Sequence, residues 1–265
     1  MKSTKNRYYN HNSDSGKLGT SPAKPYSIVS VMKAENRKWF RTPVIYFAAA
    51  FSLAVSSCWF FLIRRYFENS SATLRDYFGT FPFIFIILIP ALIASSEDNV
   101  YSSRGGERYR VSGKFLSFLV MLVFLLLLTL PVPLLLSGIN PIDAGKVVTE
   151  YIGLFFLGSC CIAVGIFSFY LFKTYISKFL FSVTVLLFFT VINRITVPSE
   201  LPDKVKTVFT YLSFDHHLHN FIHGILNSND IIYFVLICFG FLFSTVRLLR
   251  ARTWSETEWK NGKEI

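Results

Sequence analysis

The sequence predicts an all-α integral membrane protein with six transmembrane helices, and three observations carry that prediction. Apolar runs of about twenty residues recur, the length at which a helix rising about 1.5 Å per residue crosses a hydrocarbon core about 30 Å thick. Mean hydropathy is +0.44 and 52% of the 265 residues are hydrophobic, more than one soluble domain of this size buries without large exposed patches. Cations gather at alternate ends of the runs, as the positive-inside rule requires of a multi-pass chain.

Met1 to Lys24 is rich in Lys, Asn, Ser, Gly and Tyr and almost free of aliphatic side chains, so residues 1–32 are expected to form a disordered, basic cytoplasmic tail. The first apolar run opens only at Val44, too late for a signal peptide. Residues 33–43 change character. Trp39 and Phe40 stand among Arg37, Lys38 and Arg41, predicting an interfacial helix whose aromatic anchors dip into the acyl boundary while its cations face phosphate. Thr42 and Pro43 then turn the chain into the first span.

The six runs are about 44–63, 78–94, 115–136, 151–172, 176–195 and 231–249. They make one transmembrane domain over 33–254, and 255–265 reads as a C-terminal cytoplasmic tail. The second run carries Pro82 and Pro90 and the fifth ends in Asn193 and Arg194, which leaves both open to kinking or partial re-entrance. Pro131 and Pro133 are expected to break or kink the outer end of the third. Ser52, Ser56, Ser57, Gly153, Gly158 and Gly165 read as positions of close helix packing. Between the last two spans, Phe214, Leu218, Phe221, Ile222 and Ile225 fall at helical spacing, predicting a short helix at the outer interface.

With the N-terminus inside, Arg64, Arg65, Arg75, Lys146, Arg194, Lys204 and Lys206 fall outside and the rest of the 27 Lys and Arg fall inside. The 16 acidic residues divide evenly, so the bias is one of cations alone. It places both termini in the cytoplasm. The net charge of +11 then finds its counterpart in anionic membrane lipids, with no nucleic acid needed.

The search for chemistry returns few parts. Cys58, Cys160, Cys161 and Cys238 all lie in predicted spans without a CxxC pair, and they read as small apolar residues. His219 and His223 stand at i and i+4, with Asp215 or His216 a turn earlier, a spacing that fits a two-His metal face. No Cys and no HExxH accompanies them, so they read as interfacial histidines, and no metal ligand or cofactor is assigned. Gly113-Lys114 runs into Phe115 without the upstream glycine of a phosphate-binding loop, and none of the other GK pairs, Gly16-Lys17, Gly145-Lys146 and Gly262-Lys263, is followed by Ser or Thr. No GxSxG elbow or paired carboxylates at bilayer depth are present either, so the chain is not expected to be an enzyme.

Several segments carry a family resemblance. Glu35-Asn36-Arg37-Lys38-Trp39-Phe40-Arg41-Thr42-Pro43-Val44-Ile45-Tyr46 is followed by Leu74-Arg75-Asp76-Tyr77-Phe78 leading to Ile89-Pro90-Ala91-Leu92. Gly113-Lys114-Phe115-Leu116 opens the third span and Thr129-Leu130-Pro131-Val132-Pro133-Leu134 closes it. His217, Phe221, Gly224, Asp230-Ile231-Ile232-Tyr233-Phe234 and the closing Thr245-Val246-Arg247 to Arg252-Thr253-Trp254 complete the series. In this order, from about Glu35 to Trp254, the chain resembles ABC-2 type transporter permease subunits, in the branch that includes the gliding-motility-associated permease.

The resemblance implies a six-helix permease of an ATP-binding cassette transporter, most simply an exporter in the inner membrane. A second permease copy or a relative would pair with it, and a separate cytoplasmic ATPase would drive it. In that family the loop between spans two and three docks on the ATPase. Here Glu97, Arg104, Glu107, Arg108 and Arg110 are the residues carried onto that role, but the loop, Ser95 to Ser112, lacks the family's Glu-Leu-Leu segment. Either Trp39 and its neighbours take over part of the docking, or a partner permease does. A plain solvated charged loop is the alternative for this segment. The alternative for the whole chain is a non-transporting scaffold or degenerate permease acting as an assembly factor.

Overall fold

The computed structural model describes residues 27–63, 77–96, 106–137, 143–196 and 202–261. Among these the regular elements are all helical. In chain order they are α1 (Ile28–Arg41), α2 (Val44–Cys58) with a π-helical turn (Trp59–Ile63), α3 (Phe81–Ser95), α4 (Glu107–Thr129), α5 (Pro131–Ser137), α6 (Ala144–Leu171), α7 (Tyr175–Thr196), α8 (Asp203–Leu212), α9 (Phe214–Ile222) and α10 (Ser228–Asn261).

Five of these segments are long and apolar enough to cross a membrane: Val44–Phe61, Glu107–Ser137, Ala144–Leu171, Tyr175–Arg194 and Ser228–Arg252. The second predicted run forms α3, which has only 15 residues and rises about 22 Å, short of a full hydrocarbon core. It lies against α6 and α7, and Phe81, Ile84, Phe85, Ile86, Ile89, Leu92 and Ile93 are all buried. Little of this short helix is left for lipid to cover.

The centre of the bundle is α6. It packs against α3, α4, α7, α9 and α10, and 78% of its apolar window is buried. Three glycines make that crowding possible. A Cβ at Gly153 would lie 2.7 Å from Phe221 of α9, one at Gly158 2.7 Å from Leu122 of α4, and one at Gly165 2.6 Å from Ile93 of α3. Each glycine is therefore a notch that admits a side chain from a different neighbour, the soluble-side-chain equivalent of close backbone approach in membranes. By contrast α10 has 11% of its window buried and turns Ile232, Val235, Leu236, Phe239 and Phe243 outward.

The boundaries differ from the sequence expectation in instructive ways. Proline does break the third run: α4 ends at Thr129 and α5 starts at Pro131, because Pro131 has no N–H to continue the ladder. The fifth run is one continuous helix through Asn193 and Arg194; Arg194 sits in the last turn, where a cation suits the helix dipole. The interfacial helix starts at Ile28, α4 starts at Glu107 well before the apolar run, and α10 continues to Asn261 through most of the expected C-terminal tail. Charged residues are good helix formers, so a helix outlasts its apolar stretch until a breaker such as Gly106 stops it. The connection between α7 and α10 holds two helices, α8 and α9, where one was expected.

Candidate functional site

Polar groups collect at the two ends of the bundle. At the end carrying α1, the sequence Val31, Glu35, Trp39 recurs every four residues and forms the buried face of that helix. This face lies along α4, from Gly113 to Phe118. Gly113 lets it approach, since a Cβ there would meet Val31 at 2.7 Å and the Ile28 carbonyl at 3.3 Å. Ser117 donates to Asn36 Oδ1, the Trp39 and Phe118 rings are 5.3 Å apart, and Phe40 meets Phe124 edge-on at 5.6 Å. Trp39 thus anchors α1 by packing on protein, while Phe40 keeps 36% of its surface exposed.

The proposed docking residues divide. Glu97 and Arg104 lie outside the described residues. Glu107, Arg108 and Arg110 stand on the first turn of α4, with Glu107 buried and Arg108 exposed. The Arg110 guanidinium lies 5.9 Å from the Tyr170 ring centre. One turn further, Lys114 is buried and its ammonium lies 3.4 Å from the centre of Phe169, with Lys178 of α7 4.0 Å from the same ring. Cations at this depth are stabilised by the aromatic quadrupole. A lysine inside an apolar run was the available signal for this cluster. At the C-terminal end of α1, Glu35, Lys38, Trp39, Thr42, Val44, Ser95 and Ser96 line a cleft of about 400 Å³, with Lys38 3.8 Å from Glu35.

At the opposite end, α8 and α9 fold over the bundle. Gly224, with φ of 80°, closes α9: Ile225 N–H donates to the Asn220 carbonyl and Gly224 N–H to the Phe221 carbonyl, the paired bonds of a Schellman turn. That turn sends the chain back so that Asp230, in the first turn of α10, faces α9. His217 Nδ1 lies 2.6 Å from Asp230 Oδ1, Asn220 Nδ2 donates to Asp230 Oδ2 at 2.7 Å, and the Tyr233 ring stacks on the imidazole at 3.8 Å. His217 Nε2 is 2.9 Å from the Tyr211 carbonyl and the Tyr233 hydroxyl donates to the Leu212 carbonyl, so two side chains satisfy the last carbonyls of α8.

His219 and His223 remain exposed, their Nε2 atoms 3.0 Å apart. Asp215 turns to Arg194 of α7 at 3.6 Å instead. Among the described residues no group of three or more His, Cys, Asp or Glu is placed to hold a metal ion. Burial, then the neighbouring His217 imidazole, lowers the pKa of His216 below the ordinary histidine value. Trp59, Pro82, Phe83, Thr190, Arg194, Asp215, Leu218, His219 and Ile222 are among the walls of a cavity of about 500 Å³ at this end of the bundle. The chain matches no protein-family model and no curated protein sequence.

Proposed function

We propose that this chain is the membrane-spanning permease subunit of an ATP-driven transporter of the ABC-2 type, an exporter energised by a separate cytoplasmic ATPase. The observation that carries the reading is the seating of α1 along α4, with Val31 at Gly113 and Trp39 at Phe118. It joins the helix of Trp39 and Phe40 to the helix whose starting end carries Glu107, Arg108 and Arg110, two groups that the sequence separates by more than sixty positions. The positive-inside bias assigns that end to the cytoplasm. In this reading α3, extended by the buried Tyr77 and Phe78, completes six crossings, and a second permease copy or relative pairs with the chain.

ATP binding in a partner can shift a permease between states only if the partner contacts the docking face differently in each. The test is purification from native membranes in mild detergent. A P-loop ATPase that co-purifies with the wild type and is lost with Arg108→Glu and Arg110→Glu, while the variant keeps its thermal stability, is the expected outcome. Retention of other partners without any ATPase would move the assignment to a scaffold. Topology is checked separately: tags at the two ends should be reached only after the inner membrane is permeabilised.

A further inference from the structure

We propose that His217 and Asp230 form a buried proton-binding site whose proton fastens α8 and α9 to α10 and so holds one wall of the cavity at that end of the bundle. The argument is one of hydrogen-bond stoichiometry and does not depend on the transporter reading. A carbonyl oxygen only accepts, so at 2.9 Å from the Tyr211 carbonyl the Nε2 atom carries a hydrogen. A neutral imidazole with its hydrogen on Nε2 presents a bare lone pair at Nδ1. That atom lies 2.6 Å from Asp230 Oδ1, and two acceptors do not sit at such a distance. One further proton therefore belongs between ring and carboxyl.

The surroundings support the same balance. His217 is 2% exposed and Asp230 2%. With the proton the pair is neutral overall, whether written as imidazolium with carboxylate or imidazole with carboxylic acid; without it the pair leaves a net negative charge in a buried site, which is costly. The groups around it do not supply a replacement. Asn220 already donates to Oδ2, and Tyr233 spends its hydroxyl on Leu212. His216 lies 5.2 Å away centre to centre, Tyr211 lends its ring edge at 5.6 Å, Asp215 is directed to Arg194 of α7, and from α6 Cys160 is directed to the Phe234 carbonyl and Cys238. Loss of the proton would remove the His217–Asp230 bond and leave α9 held to α10 by Asn220 and by ring contacts of Phe214 and Phe221. Because Asp215, Leu218, His219 and Ile222 of α9 line the cavity, its wall would loosen with that loss.

The substitution Asp230→Asn separates this site from a merely structural contact. An asparagine can donate from its amide to Nδ1 and accept from Asn220 with its oxygen, satisfying every atom without an extra proton. In nanodiscs, ¹⁵N-histidine and ¹³C-aspartate spectra of the wild type at neutral pH, assigned by the signal missing in His217→Gln, are expected to report either a doubly protonated His217 ring or a protonated Asp230 carboxyl. A neutral ring beside an ionised carboxylate overturns the proposal, whether or not the variant folds. In Asp230→Asn, His217 should be neutral with its hydrogen on Nε2. Hydrogen-exchange protection of α9 amides, corrected for base catalysis, should fall about tenfold on alkalinisation in the wild type, the equivalent of one lost buried hydrogen bond. It should stay level in Asp230→Asn, and an equal fall in both overturns the latch.

Discussion

At Gly224 the backbone adopts φ of 80°, a conformation that costs an L side chain roughly 1–2 kcal/mol. Gly224→Ala is therefore expected to lower stability by about 1 kcal/mol, read by denaturant unfolding in detergent, and Gly224→Val by more, since a β-branched side chain fits that region worst. The Cβ itself would meet only Lys146 at 3.6 Å, so the loss is conformational. His216 offers a separate pH test. Its lowered pKa, caused first by burial and then by His217, means the unfolded chain binds a proton at this residue before the folded one does. Stability then rises with pH across the interval between the lowered and the ordinary histidine value, and is lost as pH falls through it. His216→Gln should flatten that acid-side decline in a thermal-shift series.

Among the helices, α6 and its glycines set the packing, and their neighbours differ in how far they can yield. At Gly165 a new Cβ meets the far end of Ile93, whereas at Gly153 it meets Phe221 at Cβ and Cγ, 2.7 and 2.9 Å away. A side-chain tip can rotate, but the root of a ring moves only with its backbone. Gly153→Ala should thus cost more stability than Gly165→Ala, the first in the range of 1–3 kcal/mol expected of overpacking. At the other end Gly113→Ala presses on Val31 Cβ and Cγ1 at 2.7 Å, and a β-branched neighbour has little freedom to move. That variant should lift α1 from α4, raising the labelling rate of a cysteine placed at Trp39 and, in the transporter reading, weakening ATPase association without touching Arg108 or Arg110. Unchanged labelling would show that α1 is held by something other than the Val31 contact.

For the whole molecule, the packing of α10 on α6 can be tested with residues already present. Cys160 and Cys238 bring their sulfurs within 3.4 Å, while Cys161, its neighbour in sequence, points to another face of the helix. Oxidation by a membrane-permeant reagent should therefore yield an intrachain 160–238 link and no 161–238 link, identified by mass spectrometry of the digested protein. A second tie joins the ends of the same helices, where Arg252 donates to the Leu171 carbonyl at 2.9 Å and complements the negative end of α6. These ties report the packing of α10 along α6, the most extensive helix contact among the described residues.

The sequence by itself determined the medium and the elements. Apolar runs and prolines are local properties, and lipid makes helix the only way such runs satisfy their backbones without a closed barrel; hence the break at Pro131 and the helix at Phe214–Ile222 were legible. The packing roles of Gly153, Gly158 and Gly165 were legible too, though not which neighbour each receives. An amphipathic pattern cannot tell lipid from protein, because both are apolar, so the burial of Trp39 against Phe118 needed the tertiary structure. The same holds for His217 and Asp230. Both stood in the sequence without a sign that they meet, and their contact depends on the rotation of α9, the left-handed turn at Gly224 and the notch at Gly153 that seats Phe221. Hydropathy fixes how far a helix runs, and packing alone fixes which way its polar side chains turn.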